Sequence, residues 1–208
     1  IPDTVITIGG GAFASCQSLE AVTIPEGINH AISVSPTAAE GSTLSPFFGC
    51  SGLRKVTIKI PSVNGSHTDW INDEALKTTG ITAIVFSEGV TAIGGDTFRG
   101  CTTLKSLAFP ESLTAIGSDS FWGCSGLEDL KFPARLSSIG SSAFRECAGL
   151  KTLEIPDLVT AIGDHTFRDC RALTGVRMAP AITSIGKYAF AGCAQLRELS
   201  IPEKVTTL

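Results

Sequence analysis

The sequence is poor in charge. Asp, Glu, Lys and Arg make up 17% of its 208 residues, and 20 acids against 16 bases leave a formal charge of −4. A nucleic-acid binder normally carries a basic excess, so nucleic acid is not an expected partner. No apolar run reaches the roughly 18 residues a membrane-spanning helix needs, so no membrane insertion is expected of this segment. No two cysteines stand as C-x-x-C, which removes the paired ligands of a structural zinc site. No His, acid and nucleophile share a distinctive spacing, so neither catalysis nor a cofactor is expected. With 43% hydrophobic residues the chain is nonetheless no disordered tail.

What is abundant is repeated. There is one Met and one Tyr against 11 Phe, 7 Cys and 22 Gly. The cysteines at 16, 50, 101, 124, 147, 170 and 193 act as a ruler, the last five falling 23 residues apart. Three residues before each stands a Phe (Phe13, Phe47, Phe98, Phe121, Phe144, Phe167, Phe190). Three residues after each stands a Leu (Leu19, Leu53, Leu104, Leu127, Leu150, Leu173, Leu196). One clean turn reads Leu104-x-x-Leu107-x-Phe109-Pro110-x-x-Leu113-x-x-Ile116-Gly117-x-x-x-Phe121-x-x-Cys124. A degenerate turn around Ala75 and Thr78 lacks both Phe and Cys, and the frame resumes at Ile81, Ile84, Phe86, Val90 and Ile93.

These spacings fit neither one long helix nor a hairpin. They fit a coil that turns inward at each apolar position. The period-2 step ending Leu-x-x-Leu-x-Phe predicts a short strand. Pro110, Pro133 and Pro156 then stop it, having no N–H to donate. Gly94, Gly117, Gly140, Gly163 and Gly186 are expected to allow a tight turn. Asp96, Asp119 and Ser142 are expected to cap a short helical turn through Phe-x-x-Cys. One turn buries too little to stand alone, so successive turns must stack on a shared core. Parallel strands about 4.8 Å apart give eight rungs a length on the order of 35 Å.

The repeated phrase resembles the BspA-like (Treponema pallidum-type) leucine-rich repeat family. Commoner leucine-rich repeats carry an Asn ladder where this chain has Leu113, Leu136 and Val159. The resemblance implies a β-rich, α/β-type repeat solenoid. Its expected form is a right-handed leucine-rich-repeat coil of about eight 23-residue turns, with a parallel β-sheet on the concave face. It implies a bacterial surface or secreted protein that binds a protein or glycan, including host extracellular proteins, and it carries over no catalytic residue. A structural spacer or assembly rod presenting another domain is the alternative. Residues 1–208 are expected to form a single solenoid. The chain opens at Ile1-Pro2 and stops just past Ile201-Pro202 in the same repeat phase, without polar caps, so a fragment of a longer protein is expected.

Two insertions break the pattern, at 27–46 and 59–79. Insertions in a solenoid leave through loops on one face, where binding is often placed. These two hold His30, His67, Asp69, Trp70, Asn72, Asp73 and Glu74. They read either as a ligand-binding lobe, or even a weak metal site, or as tolerated surface loops with Trp70 sealing the gap left by the missing Phe. On the strand face, Lys105, Asp129, Lys131, Glu154, Arg177 and Glu198 form a mixed-charge strip suited to a protein surface. One residue after the Phe, Arg99, Trp122, Arg145 and Arg168 are placed to stack as a surface ladder. The cysteines are expected inside, reduced, with Cβ vectors running parallel rather than facing one another.

Overall fold

The computed structural model describes residues 1–9, 11–28, 46–59, 62–63 and 79–208, residues 62 and 63 by backbone alone. The apolar phrase of each turn makes short strands whose side chains alternate. In Lys55–Ile58 the burial runs exposed, buried, half-buried, buried, so Val56 and Ile58 enter the core. The first ribbon contains β1 (Ala21–Ile24), β2 (Lys55–Ile58), β4 (Ala83–Phe86) and β6 (Ser106–Ala108), paired in that order and parallel. It resumes with β9 (Thr152–Glu154) beside β11 (Gly175–Arg177). The second ribbon contains β3 (Ser62–Val63), β5 (Ala92–Ile93), β7 (Ala115–Ile116) and β8 (Ser138–Ile139), then β10 (Ala161–Ile162) beside β12 (Ser184–Ile185). Ile84 pairs with Leu107 and Ile93 with Ile116, so equivalent residues of successive repeats stack directly. The fold is therefore the β-rich parallel solenoid expected of leucine-rich repeats.

Phenyl rings run down its middle. Phe98, Phe121, Phe144, Phe167 and Phe190 stack with centroids 5.3, 5.2, 5.8 and 5.5 Å apart, and the first four are fully buried. A second column, Phe86, Phe109 and Phe132, stacks at 5.8 and 6.2 Å. It leans edge-on against the first, Phe86 on Phe98 at 77° and Phe132 on Phe144 at 69°. Offset-stacked and edge-to-face pairs are the two arrangements the ring quadrupole favours. Each buried phenyl contributes about 1.5–3 kcal/mol by leaving water.

Several local expectations are corrected. No helix occurs among the described residues. Phe-x-x-Cys closes a tight turn instead, with Cys124 N–H donating to Phe121 O at 3.1 Å. Asp96, Asp119 and Ser142 do not cap it, because they sit at φ of 55°, 59° and 56°. That left-handed backbone aims their N–H groups at the following turn, onto Ser118 O, Ser141 O and Asp164 O at 2.9, 3.0 and 2.9 Å. The buried hydroxyls of Thr97, Ser120 and Thr166 close the corner by donating to Gly94, Gly117 and Gly163 carbonyls at 2.9, 2.6 and 2.9 Å. The corner glycines answer to crowding rather than to φ. A Cβ on Gly117 would lie 2.5 Å from Gly95 N, and one on Gly140 only 2.4 Å from Ser118 N.

The strand ladder also lapses at Leu130–Phe132, where the repeat predicts a strand and none forms. Within 59–79, Ser62–Val63 is a strand rather than a loop, paired with Ala92–Ile93. Only five positions separate Ile58 from Val63, against seven from Phe86 to Ile93, so the extra residues of this turn follow Val63.

Candidate functional site

The strand face is built by the polar members of each Leu-x-x-Leu-x-Phe phrase, which alternation turns outward. Some of the strip neutralises itself across turns. Lys151 Nζ lies 2.6 Å from Glu128 Oε2, and Arg177 donates to Glu154, each pair 23 residues apart and therefore on adjacent turns. The Lys151 ammonium holds the Glu128 carboxyl below its ordinary range, and Glu128 raises Lys151 in return. Lys105, Asp129, Lys131 and Glu198 form no ion pair within 4 Å among the described residues. The strip thus brings Glu154 and Arg177 together and leaves the other four expected residues available.

The side of the coil carries the arginine column. Trp122 lies between two guanidinium groups, Arg99 at 3.8 Å and Arg145 at 4.3 Å from its ring centroid. Arg168 does not continue that stack. It lies 5.7 Å from the Tyr188 ring, whose face is stacked on His165 at 5.2 Å. Each arginine also meets an acid. Arg99 reaches Asp96 at 3.1 Å, and Arg168 reaches Asp169 at 3.2 Å. Arg145 Nε is 3.2 Å from Glu146 without hydrogen-bond alignment. Burial, then neighbouring Asp96, raises the Asp119 carboxyl, against the pull of Arg99 and Arg145. This column is a self-neutralised wall. His30, His67, Asp69, Trp70 and Asp73, with Asn72 and Glu74, lie outside the described residues.

Sequence reasoning missed two features. One is a second left-handed position just before each Cys, at Ser15, Gly49, Gly100, Gly123, Glu146, Asp169 and Gly192. Its signal was a Gly-Cys pair at four of the seven. The other is a groove where the strand ladder lapses, about 590 Å³, floored by Leu130, Phe132 and Pro156 and rimmed by Lys131 and Glu154. A neighbouring hollow of about 470 Å³, lined by Val176, Met178 and Pro202, shares Arg177 with it. Among the described residues no three His, Cys, Asp or Glu side chains group to hold a metal ion.

The sequence model of the BspA type leucine rich repeat region matches six copies, over residues 1–35, 43–125, 69–156 and 116–208. The chain belongs to that family. The BspA type coil also superposes on solved structures. It is 26% identical to a leucine-rich repeat protein of T. pallidum, with a TM-score of 0.66 over 87% of this chain and 79% of that one. A leucine-rich cell surface protein of Faecalibacterium prausnitzii is likewise 26% identical, with a TM-score of 0.64. That match covers 90% of this chain but only 43% of the Faecalibacterium protein. A leucine-rich repeat protein of Eubacterium ventriosum, 19% identical over 91% of this chain and 56% of its own, shares the fold with a TM-score of 0.50. Curated protein sequences contain no match. No helix among the described residues is long and apolar enough to cross a membrane.

Proposed function

We propose that the chain is a non-enzymatic binding module of a bacterial surface or secreted protein, a single solenoid whose strand face engages a protein or glycan partner. The observation that carries this reading is the row of outward side chains along the strand face, with Lys105, Asp129, Lys131 and Glu198 exposed and free of ion pairs among the described residues. A rigid scaffold presenting mixed charge in fixed rows favours a specific protein surface over a polyanion. The similarity to a leucine-rich cell surface protein supports the location. The insertions at 27–46 and 59–79 remain a second candidate surface within the same reading.

The test is capture of ligands by the immobilised chain from arrays of extracellular matrix proteins and of glycans. Lys131→Glu with Arg177→Glu, and separately deletion of 27–46, are the controls. Loss of a captured ligand in one of them supports the reading and selects the surface. A ligand unaffected by both, or no ligand at all, overturns it.

A further inference from the structure

The groove lies at the break in the strand ladder, at Leu130–Phe132. Leu130 at the break is half-buried, as are Leu107 and Val176 at the equivalent position of β6 and β11. Beside it the edge of Phe132, 8% exposed, and half-buried Pro156 complete the apolar floor of the 590 Å³ groove. The adjoining hollow extends that floor over Val176 and Met178. Together they make a trough across several turns rather than a closed pocket, a shape suited to an extended chain.

The trough has a sign. Two residues past the end of the strand phrase, the turns other than that of β2 present Glu26, Glu88, Glu111, Ala134, Asp157, Pro180 and Glu203. All five acids are exposed, and none forms an ion pair within 4 Å among the described residues. Glu88 and Glu111 lie on adjacent turns, where Gly89 N–H donates to Ser112 Oγ and Ser112 Oγ donates to Val90 O, at 3.0 and 2.9 Å. Glu111 and Asp157 border the groove directly. Of its two cations, Arg177 is already paired with Glu154, which leaves Lys131 facing two unpaired acids. Unpaired charge beside an apolar floor selects partners of opposite sign.

We propose that this groove seats an extended peptide segment of a partner protein, with a large apolar side chain held between Lys or Arg residues. The apolar side chain covers Leu130, the edge of Phe132 and Pro156, and the flanking cations face Glu111 and Asp157. The proposal rests on the binding-module reading and names the partner's chemistry.

Two fluorescein-labelled octapeptides test it by anisotropy, one with a Leu-Phe pair flanked by lysines and one with the same pair flanked by glutamates. The Lys peptide is expected to bind at least tenfold more tightly, and more weakly as NaCl rises. The Glu111→Lys, Asp157→Lys double variant is expected to reverse the preference, with circular dichroism confirming its fold, since both positions are exposed. Equal binding of the two peptides, tighter binding of the Glu peptide, an unchanged preference in the double variant, or no binding of either overturns the proposal. If neither peptide binds, ligand capture dependent on Lys131 and Arg177 leaves the binding-module reading standing, and its absence removes that reading too.

Discussion

The thiol of Cys147 donates to the backbone carbonyl of Phe121, 26 residues earlier, at 3.3 Å. The contact recurs from Cys124 to Phe98 O at 3.2 Å, Cys170 to Phe144 O at 3.3 Å and Cys193 to Phe167 O at 3.3 Å. Each Phe carbonyl already accepts the N–H of the Cys three residues on, Cys124 on Phe121 at 3.1 Å, which leaves a second lone pair facing the apolar interior. A small, buried, weakly donating thiol from the next turn answers it. Removing one such donor deletes a buried contact and opens a small cavity. Cys147→Ala is expected to cost about 1–2 kcal/mol, read as a lower urea midpoint with an unchanged m-value.

The thiol ladder also sets chemical reactivity. Cys50, Cys101, Cys124, Cys147 and Cys170 are buried, Cys193 is half-buried and Cys16 is exposed. A thiol reagent is expected to modify Cys16 first and Cys193 next in the native chain, and the five buried thiols only on unfolding. Mass mapping after timed labelling checks the order, and early labelling of Cys124 or Cys147 would contradict it.

Burial pushes the Cys124, Cys147 and Cys170 thiols up, and Cys193 to about 11. In the unfolded chain these thiols ionise near their ordinary value of 9.0, while the folded chain holds them protonated. The unfolded state then binds fewer protons, so stability is full below pH 9 and falls as pH rises. For Cys193 that fall runs from about 9 to about 11. Urea midpoints across this range should drop less steeply in a Cys124→Ala, Cys147→Ala, Cys170→Ala variant than in the parent.

Crowding and backbone strain make opposite predictions at two positions. Gly140→Ala forces a Cβ to within 2.4 Å of backbone and is expected to destabilise by about 2–3 kcal/mol or more. Glu146 holds φ at 61°, which glycine adopts freely, so Glu146→Gly is expected to gain roughly 0.5 kcal/mol despite losing the Arg145 contact. Thermal midpoints of both variants decide the signs.

The sandwich of Trp122 is a stabilising contact of modest size. A double-mutant cycle of Arg99→Ala with Trp122→Leu is expected to give a coupling of about 0.5–1 kcal/mol. A coupling near zero would mean that the stack exists without contributing.

The repeat period, the inward Phe and Cys columns and the parallel stacking were legible because a solenoid converts sequence spacing directly into spatial adjacency. A 23-residue repeat in the letters becomes a neighbour contact in the fold, as Ile84 beside Leu107 shows. The outward placement of Asp129, Lys131, Glu154, Arg177 and Glu198 was legible because alternation turns those positions out, whereas Lys105 shares the parity of Leu107 and precedes its strand. Three-dimensional placement decided the rest. Backbone dihedral signs at Asp96 and Glu146 follow from which neighbouring carbonyl each N–H must reach, which no single repeat encodes. The corner glycines are required by the backbone of the preceding turn, and the thiols found their acceptors there as well. The interruption at Leu130–Phe132, and with it the groove, falls on a turn whose letters keep the repeat, so spacing did not mark it. Spacing specifies which residues become neighbours, and only the packing of those neighbours decides what their polar groups have left to bind.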